Sequence, residues 1–175
     1  MRKLFLALLS GILLAFSWPA IGFFPFIFFA FVPLLMIEEK VENGKTIFAY
    51  SYISFFIFNT LTTYWVWYAT PFGAIFAFLV NSLLMAFAFY VFHKIKSATN
   101  NRLGGVAFVV CWLAFEYLHL NWDLSWPWLT LGNVFANAPD VVQWYEYTGI
   151  LGGTLWVLLI NNLIFRLVKR QNLNA

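Results

Sequence analysis

Charge is what this chain has least of. Only 10% of its 175 residues are Asp, Glu, Lys or Arg, against roughly a quarter in soluble domains. With 63% hydrophobic residues and a mean hydropathy of +0.80, a soluble globular domain is excluded. Cysteine is reduced to Cys111 alone, which rules out an intramolecular disulfide framework and any multi-cysteine metal site. Two histidines, His93 and His119, are too few for a histidine-based metal cluster. No Gly-rich phosphate loop, Ser/His/Asp set or metal-ligand spacing occurs either, so neither a metal nor a cofactor is expected. Internal repeats, low-complexity tracts and domain boundaries are also missing.

What charge there is has a pattern. The ten Lys and Arg residues fall into four clusters: Arg2-Lys3, Lys40 with Lys45, Lys94 with Lys96 and Arg102, and Arg166 with Lys169-Arg170. Each of the three intervening stretches is long enough to cross a bilayer and return, with a polar or Pro/Gly-marked turn near its middle. Basic segments beside a membrane span resist translocation, so all four clusters belong on the cytoplasmic side. The expected fold is an all-α integral membrane protein of about six transmembrane helices in three hairpins, with both termini cytoplasmic. The basic isoelectric point near 9.1 is thereby used in orienting loops, which leaves no surface for nucleic acid. Met1-Arg2-Lys3 followed by an apolar run also fits a secretory signal. Only more apolar sequence follows it, so a retained first span is expected.

One polytopic domain, 1–175, is expected, with spans at about 4–18, 21–37, 47–65, 73–93, 103–120 and 145–168. Span 1 is short for a ~30 Å core. Span 2 contains Pro25 and Pro33, and a shallow re-entrant hairpin explains the same charges equally well. Asn43-Gly44 and Thr70-Pro71-Phe72-Gly73 read as turns, and 94–102 as an inner loop. The outer loop 121–143, rich in Trp, Pro, Gly and Asn, reads as irregular backbone lying at or dipping into the interface. Such backbone persists there only where protein or water satisfies its amides. Gly149, Gly152 and Gly153 permit close helix approach in span 6.

Glu116 is the one ionisable residue well inside an expected span, where an unpaired carboxyl costs roughly 2.5 kcal/mol or more. Trp112 at i−4 and His119 at i+3 share its face. Two readings stand together: a polar notch that meets a lipid head group, or a structural hydrogen bond pinning span 5 to its neighbours. Cys111 reads as a small buried hydrophobe, because a reactive thiolate needs a base or cation and every Lys and Arg is cytoplasmic. Trp126-Pro127-Trp128, following Trp122, is a more specific cluster than interfacial anchoring requires. Trp65 stands in a second aromatic group, Tyr64 to Tyr68, at the outer end of span 3.

The string from Cys111 to Asn133, CWLAFEYLHLNWDLSWPWLTLGN, resembles the membrane region of bacterial apolipoprotein N-acyltransferases. The resemblance lies in Trp112, Glu116-Tyr117-Leu118, Pro127-Trp128-Leu129 and Gly132. Leu14 to Pro19, Tyr64 to Gly73 and Pro139 to Asn161 also resemble successive family segments. The family often has Arg at the position of His119 and Asn at that of Tyr64. Resemblance implies an eight-span protein of the bacterial inner membrane with a periplasmic nitrilase-like domain between spans 7 and 8. A Glu-Lys-Cys triad in that domain takes an acyl chain from phospholipid as a thioester. The chain then passes to the N-terminal amine of a diacylglyceryl-cysteine lipoprotein. No catalytic residue of the family maps onto this chain.

The chain therefore reads as the membrane portion of such an acyltransferase, not catalytic alone. Phospholipid as acyl donor and lipoprotein substrate are its expected partners, and a nitrilase-like domain is expected in cis or in trans. Glu116, His119, Trp126, Pro127, Trp128 and Trp65 are its expected lipid-positioning residues. The alternatives are a non-enzymatic scaffold or lipid-binding remnant, half of a split enzyme and, last, a small transporter. A transporter should show paired repeats and polar midplane sites.

Overall fold

The computed structural model describes residues 1–123 and 125–174, with the side chains of 172–174 left aside. Among these residues the chain is all-helical. Its elements are α1 (Arg2–Ser17), α2 (Val32–Glu38), α3 (Gly44–Thr63), α4 (Val66–Ala69), α5 (Pro71–Ala98), α6 (Gly104–Leu120) and α7 (Tyr145–Asn174). Pro71–Ala98 and Tyr145–Gln171 are long and apolar enough to cross a membrane; Gly104–Leu120 and Phe24–Glu38 are apolar but shorter. α3 dilutes its hydropathy with Ser51, Ser54, Asn59, Thr62 and Thr63, yet all five are buried. Large apolar residues face outward instead. Leu155, Leu159, Leu163 and Leu167 form an exposed stripe on α7, and Leu4, Leu8, Ile12 and Phe16 form one on α1.

Two expected turns are helix starts. Asn43 caps α3 by accepting a hydrogen bond from the Lys45 amide (2.9 Å). Thr70 caps α5 by accepting one from Gly73, and Pro71 takes the first helical position, where its missing N–H costs nothing. The expected inner loop 94–102 is mostly helix: α5 continues to Ala98. Asn100 and Asn101, both at positive φ, then turn the chain into α6.

The expected second span is not one helix. Gly22 sits at φ 87°, a 3-10 turn covers Phe24–Phe28, and α2 begins only at Val32. Pro25 and Pro33 each open their own short helix because neither can continue one. Breaking a helix in an apolar interior strands backbone groups, and here Asn161 of α7 takes them up. Its Oδ1 accepts from the Phe31 amide (2.9 Å), and its Nδ2 donates to the Ile27 carbonyl (2.8 Å). Ser10 of α1 donates to the Ala30 carbonyl (2.6 Å) from the other side. Phe31 itself fills the centre of the core, edge-on to Trp112 and Phe108.

At one end of the bundle the basic clusters converge. Arg2, Lys40 and Lys169 line one cavity, and Lys96, Arg102, Arg166 and Lys169 line its neighbour, Glu39 belonging to both. Glu38, almost fully buried at the end of α2, pairs with His93 (2.8 Å) and Lys96. Glu39 pairs with Lys96 (2.8 Å) and Lys169. Burial opposes the charge on Glu39, but hydrogen bonds from Lys169 and Lys96, with their positive charge, outweigh it and hold its pKa below the ordinary 4.5. A lowered carboxyl pKa contributes stability fully above the unfolded value, and that contribution is lost as pH falls through the folded value. Melting curves from about pH 3 to pH 7 are expected to show the wild type losing stability below about pH 4.5, with Glu39→Gln flatter over that limb. Parallel acid limbs would contradict this.

Candidate functional site

At the opposite end of α6, a buried carboxylate organises the loop that returns to α7. Glu116 is 3% exposed. Its Oε1 accepts from Trp112 Nε1 (2.9 Å), one turn back, and from the backbone amide of Leu131 (2.9 Å). Its Oε2 accepts from the Thr154 hydroxyl of α7 (2.6 Å). Thr154 in turn accepts from the Gly132 amide (3.1 Å), and the Gly132 carbonyl accepts from the Tyr145 hydroxyl (2.9 Å). Both amides of the Leu131-Gly132 pair are thus satisfied inside the bundle. This is what irregular backbone at such depth requires.

Gly132 is demanded by close approach: a Cβ there would run into the backbone of Ile150. Gly149, at φ 63° and ψ −172°, kinks α7 and turns its first residues back. Gly153 and Gly152 then receive the side chains of Tyr145, Trp144 and Thr148. These glycines accommodate their own element's first turn, where a neighbouring helix had been expected. The outer loop runs as 3-10 turns at Pro127–Leu129, Leu131–Phe135 and Pro139–Val141, and it drives Leu129, Leu131, Val134 and Phe135 into the core. Leu124, part of the expected loop 121–143, lies outside the described residues.

The expected positioning residues separate into two groups. Glu116 faces α7 and the loop, with Trp112 as its expected partner. His119, also buried, is turned toward α5, stacked on Phe115 (5.3 Å between centroids) and against Trp122. Among the described residues no hydrogen bond joins the two. Trp126 lies near His119, both lining a cavity beside α5. Pro127 starts a 3-10 turn, and its carbonyl accepts from Asn133 Nδ2 (2.8 Å). Trp128 is exposed and meets the exposed Trp65 edge to face at 6.1 Å, which ties the outer end of α3 to the loop. Cys111 is half-buried on a groove between α5 and α6.

Sequence reasoning missed Thr154, Tyr145 and Asn161 as partners. Their signal was present as polar residues at span positions that otherwise read as apolar. It also missed the pairing of Asn59 with Asn81 (2.7 Å) across α3 and α5.

Residues 10–163, which contain this whole arrangement, match the apolipoprotein N-acyltransferase N-terminal domain. The chain belongs to that family. It is 35% identical to the apolipoprotein N-acyltransferase of Chlorobaculum tepidum, an alignment covering 97% of this chain and 32% of the relative. It is 26% identical to that of Geobacter metallireducens, over 96% of this chain and 34% of the relative. Against the apolipoprotein N-acyltransferase of Rickettsia prowazekii it is 27% identical, over 89% and 33%. The chain spans about a third of the length of these curated relatives. No solved structure matches it. Within this apolipoprotein N-acyltransferase domain, the Glu116 network fixes the loop that carries Trp126, Pro127 and Trp128.

Proposed function

We propose that this chain is the membrane portion of an apolipoprotein N-acyltransferase, one that orients phospholipid donor and lipoprotein acceptor for acyl transfer carried out elsewhere in the enzyme. The observation that carries this reading is the anchored outer loop, held by Glu116 about 16 Å along α6 from the basic cavity at Gly105. A bacterial inner-membrane protein of six crossings in three hairpins, with both termini cytoplasmic, would place the basic end inside and the Trp-rich loop outside. Two features support that topology: outward-facing apolar stripes even on α1, and buried polar residues on α3. Lipid head groups arriving in the outer leaflet would meet Trp65, Trp126, Pro127, Trp128 and His119, with Glu116 positioning the loop from behind. Holding both lipid chains in the membrane plane is catalysis by orientation.

The test is a chimera in which this chain replaces the corresponding third of a complementing full-length relative. Trp128 is exposed, so Trp128→Ala should leave the amount of chimera unchanged. Lipoprotein N-acylation should fall up to about tenfold, the worth of one edge-to-face aromatic contact of ~0.5–1.5 kcal/mol. Undiminished N-acylation would favour the scaffold or lipid-binding-remnant reading. The purified 175-residue chain is expected to transfer no acyl group, and phospholipid-dependent N-acylation by it would overturn the proposal.

A further inference from the structure

The carboxylates at the basic end of the bundle have no oxygen to spare. Glu38 faces His93 (2.8 Å) with one oxygen and Lys96 with the other, and Glu39 faces Lys169 with one and Lys96 (2.8 Å) with the other. Arg102 and Arg166 line the same cavity as Glu38, Glu39, Lys96 and Lys169. Among the described residues, neither arginine has an ion-pair partner. Four cations against two carboxylates leave the cavity with a surplus of two positive charges. Orientation in a membrane asks for cations at this end. It does not ask that cations from the α5–α6 turn and from α7 gather around one cavity, where like charges repel.

The backbone makes room for this gathering. A Cβ on Gly105, near the start of α6, would run into the Arg166 guanidinium and the Asn162 amide of α7. Both arginines are exposed residues, so an anion reaches them from solvent. Around the cavity the elements form a ring. Glu38 and Lys96 join α2 to α5, Glu39 and Lys169 join α2 to α7, and α6 packs against both α5 and α7. With elements on every side, the way in runs along the bundle axis. On the membrane reading above, that is from the inner aqueous phase and not from among acyl chains. The volume of about 230 Å³ falls below the ~300–1,000 Å³ of sites for drug-sized ligands. It suits an inorganic oxyanion or a small monoester and is too small for a nucleotide.

We propose that this cavity binds a soluble phosphate group, as inorganic phosphate or a small phosphate monoester, between Arg102 and Arg166. The planar fork of each guanidinium matches two phosphate oxygens at once. A phosphate monoester carries about −1.5 to −2 charges at pH 7, which balances the surplus. The carboxylates do not turn the anion away, because each of their oxygens already faces a cationic or imidazole nitrogen. Bound there, the anion bridges the α5–α6 turn, which carries Arg102, to α7, which carries Arg166. Its binding energy is added to the stability of the fold.

The experiment is a thermal unfolding titration of the full 175-residue chain in uncharged maltoside detergent. Inorganic phosphate is compared with chloride at matched ionic strength. A saturable rise in melting temperature is expected with phosphate alone. Arg102→Gln and Arg166→Gln should each weaken binding about tenfold, the worth of one charge-assisted hydrogen bond. Gly105→Ala should weaken it severalfold, since the added methyl displaces the mobile ends of two side chains and no backbone. Lys3→Gln, which removes an exposed cation outside the cavity, should leave binding unchanged. Equal responses to phosphate and chloride would overturn the site, and that comparison needs no variant to fold. Undiminished binding in both arginine variants, or an equal loss in Lys3→Gln, would also overturn it and leave only a solvated basic patch. Dihexanoyl phosphatidylglycerol separates the two sources of phosphate. A response to it without one to inorganic phosphate would overturn the soluble ligand. None of these titrations needs a bilayer, so their failure leaves the membrane topology standing.

Discussion

Glu116→Ala is expected to destabilise the protein by roughly 3–5 kcal/mol, since it leaves three buried donors without an acceptor. Those donors are Trp112 Nε1, the Leu131 amide and the Thr154 hydroxyl, drawn from α6, the outer loop and α7. The residue is 3% exposed, so bulk solvent does not reach these donors. Glu116→Gln should cost only about 1 kcal/mol. The amide oxygen still accepts from Trp112 and Leu131, and the new NH2 can donate to Thr154, whose hydroxyl also accepts. Unfolding in denaturing detergent, followed by helical circular dichroism, separates the two variants. Equal losses in both would mean that the negative charge matters more than the hydrogen-bond count. A negligible loss in Glu116→Ala would remove the strut altogether.

Asn161→Leu is the second large effect, expected at roughly 1–3 kcal/mol, because shape is kept while the Phe31 amide loses its partner and the Ile27 carbonyl keeps only the Ala30 amide at 3.4 Å. Those two groups belong to the stretch where the backbone is broken between the 3-10 turn and α2. Asn161→Asp restores an acceptor for Phe31 but sets an oxygen against the Ile27 carbonyl, so it should rescue little. The same unfolding assay reads both variants. Stability within about 0.5 kcal/mol of wild type in Asn161→Leu, the range of an ordinary surface change, would show that the broken segment is satisfied some other way.

These two residues also mark where the sequence was readable and where it was not. Glu116 was visible because a carboxyl in an apolar run is costly enough to need a partner, and Trp112 was found by helical spacing alone. Thr154 was not, since a threonine in a span is cheap and its partner lies 38 positions away. Asn161 was hidden for the same reason, although the prolines at 25 and 33 announced that something had to take up stranded backbone groups. Helix existence followed from the apolar runs and the basic clusters. The expected turns at Asn43 and Thr70 are also helix caps, because the side chains that cap a helix are the ones that make turns. Of the candidate site, the aromatic loop was legible and its geometry was not. Only packing shows that Glu116 meets α7 while His119 meets α5, and that Trp65 reaches Trp128.

The bonds from Asn161 to Ile27 and Phe31 have a consequence in time. The partners are 134 and 130 residues apart, and ribosomes add roughly 5–20 residues per second. The broken segment is therefore made roughly 7–26 seconds before the side chain that completes it. During that interval the Phe31 amide must find another partner, such as water. α7 acts as the clasp that closes the nascent bundle.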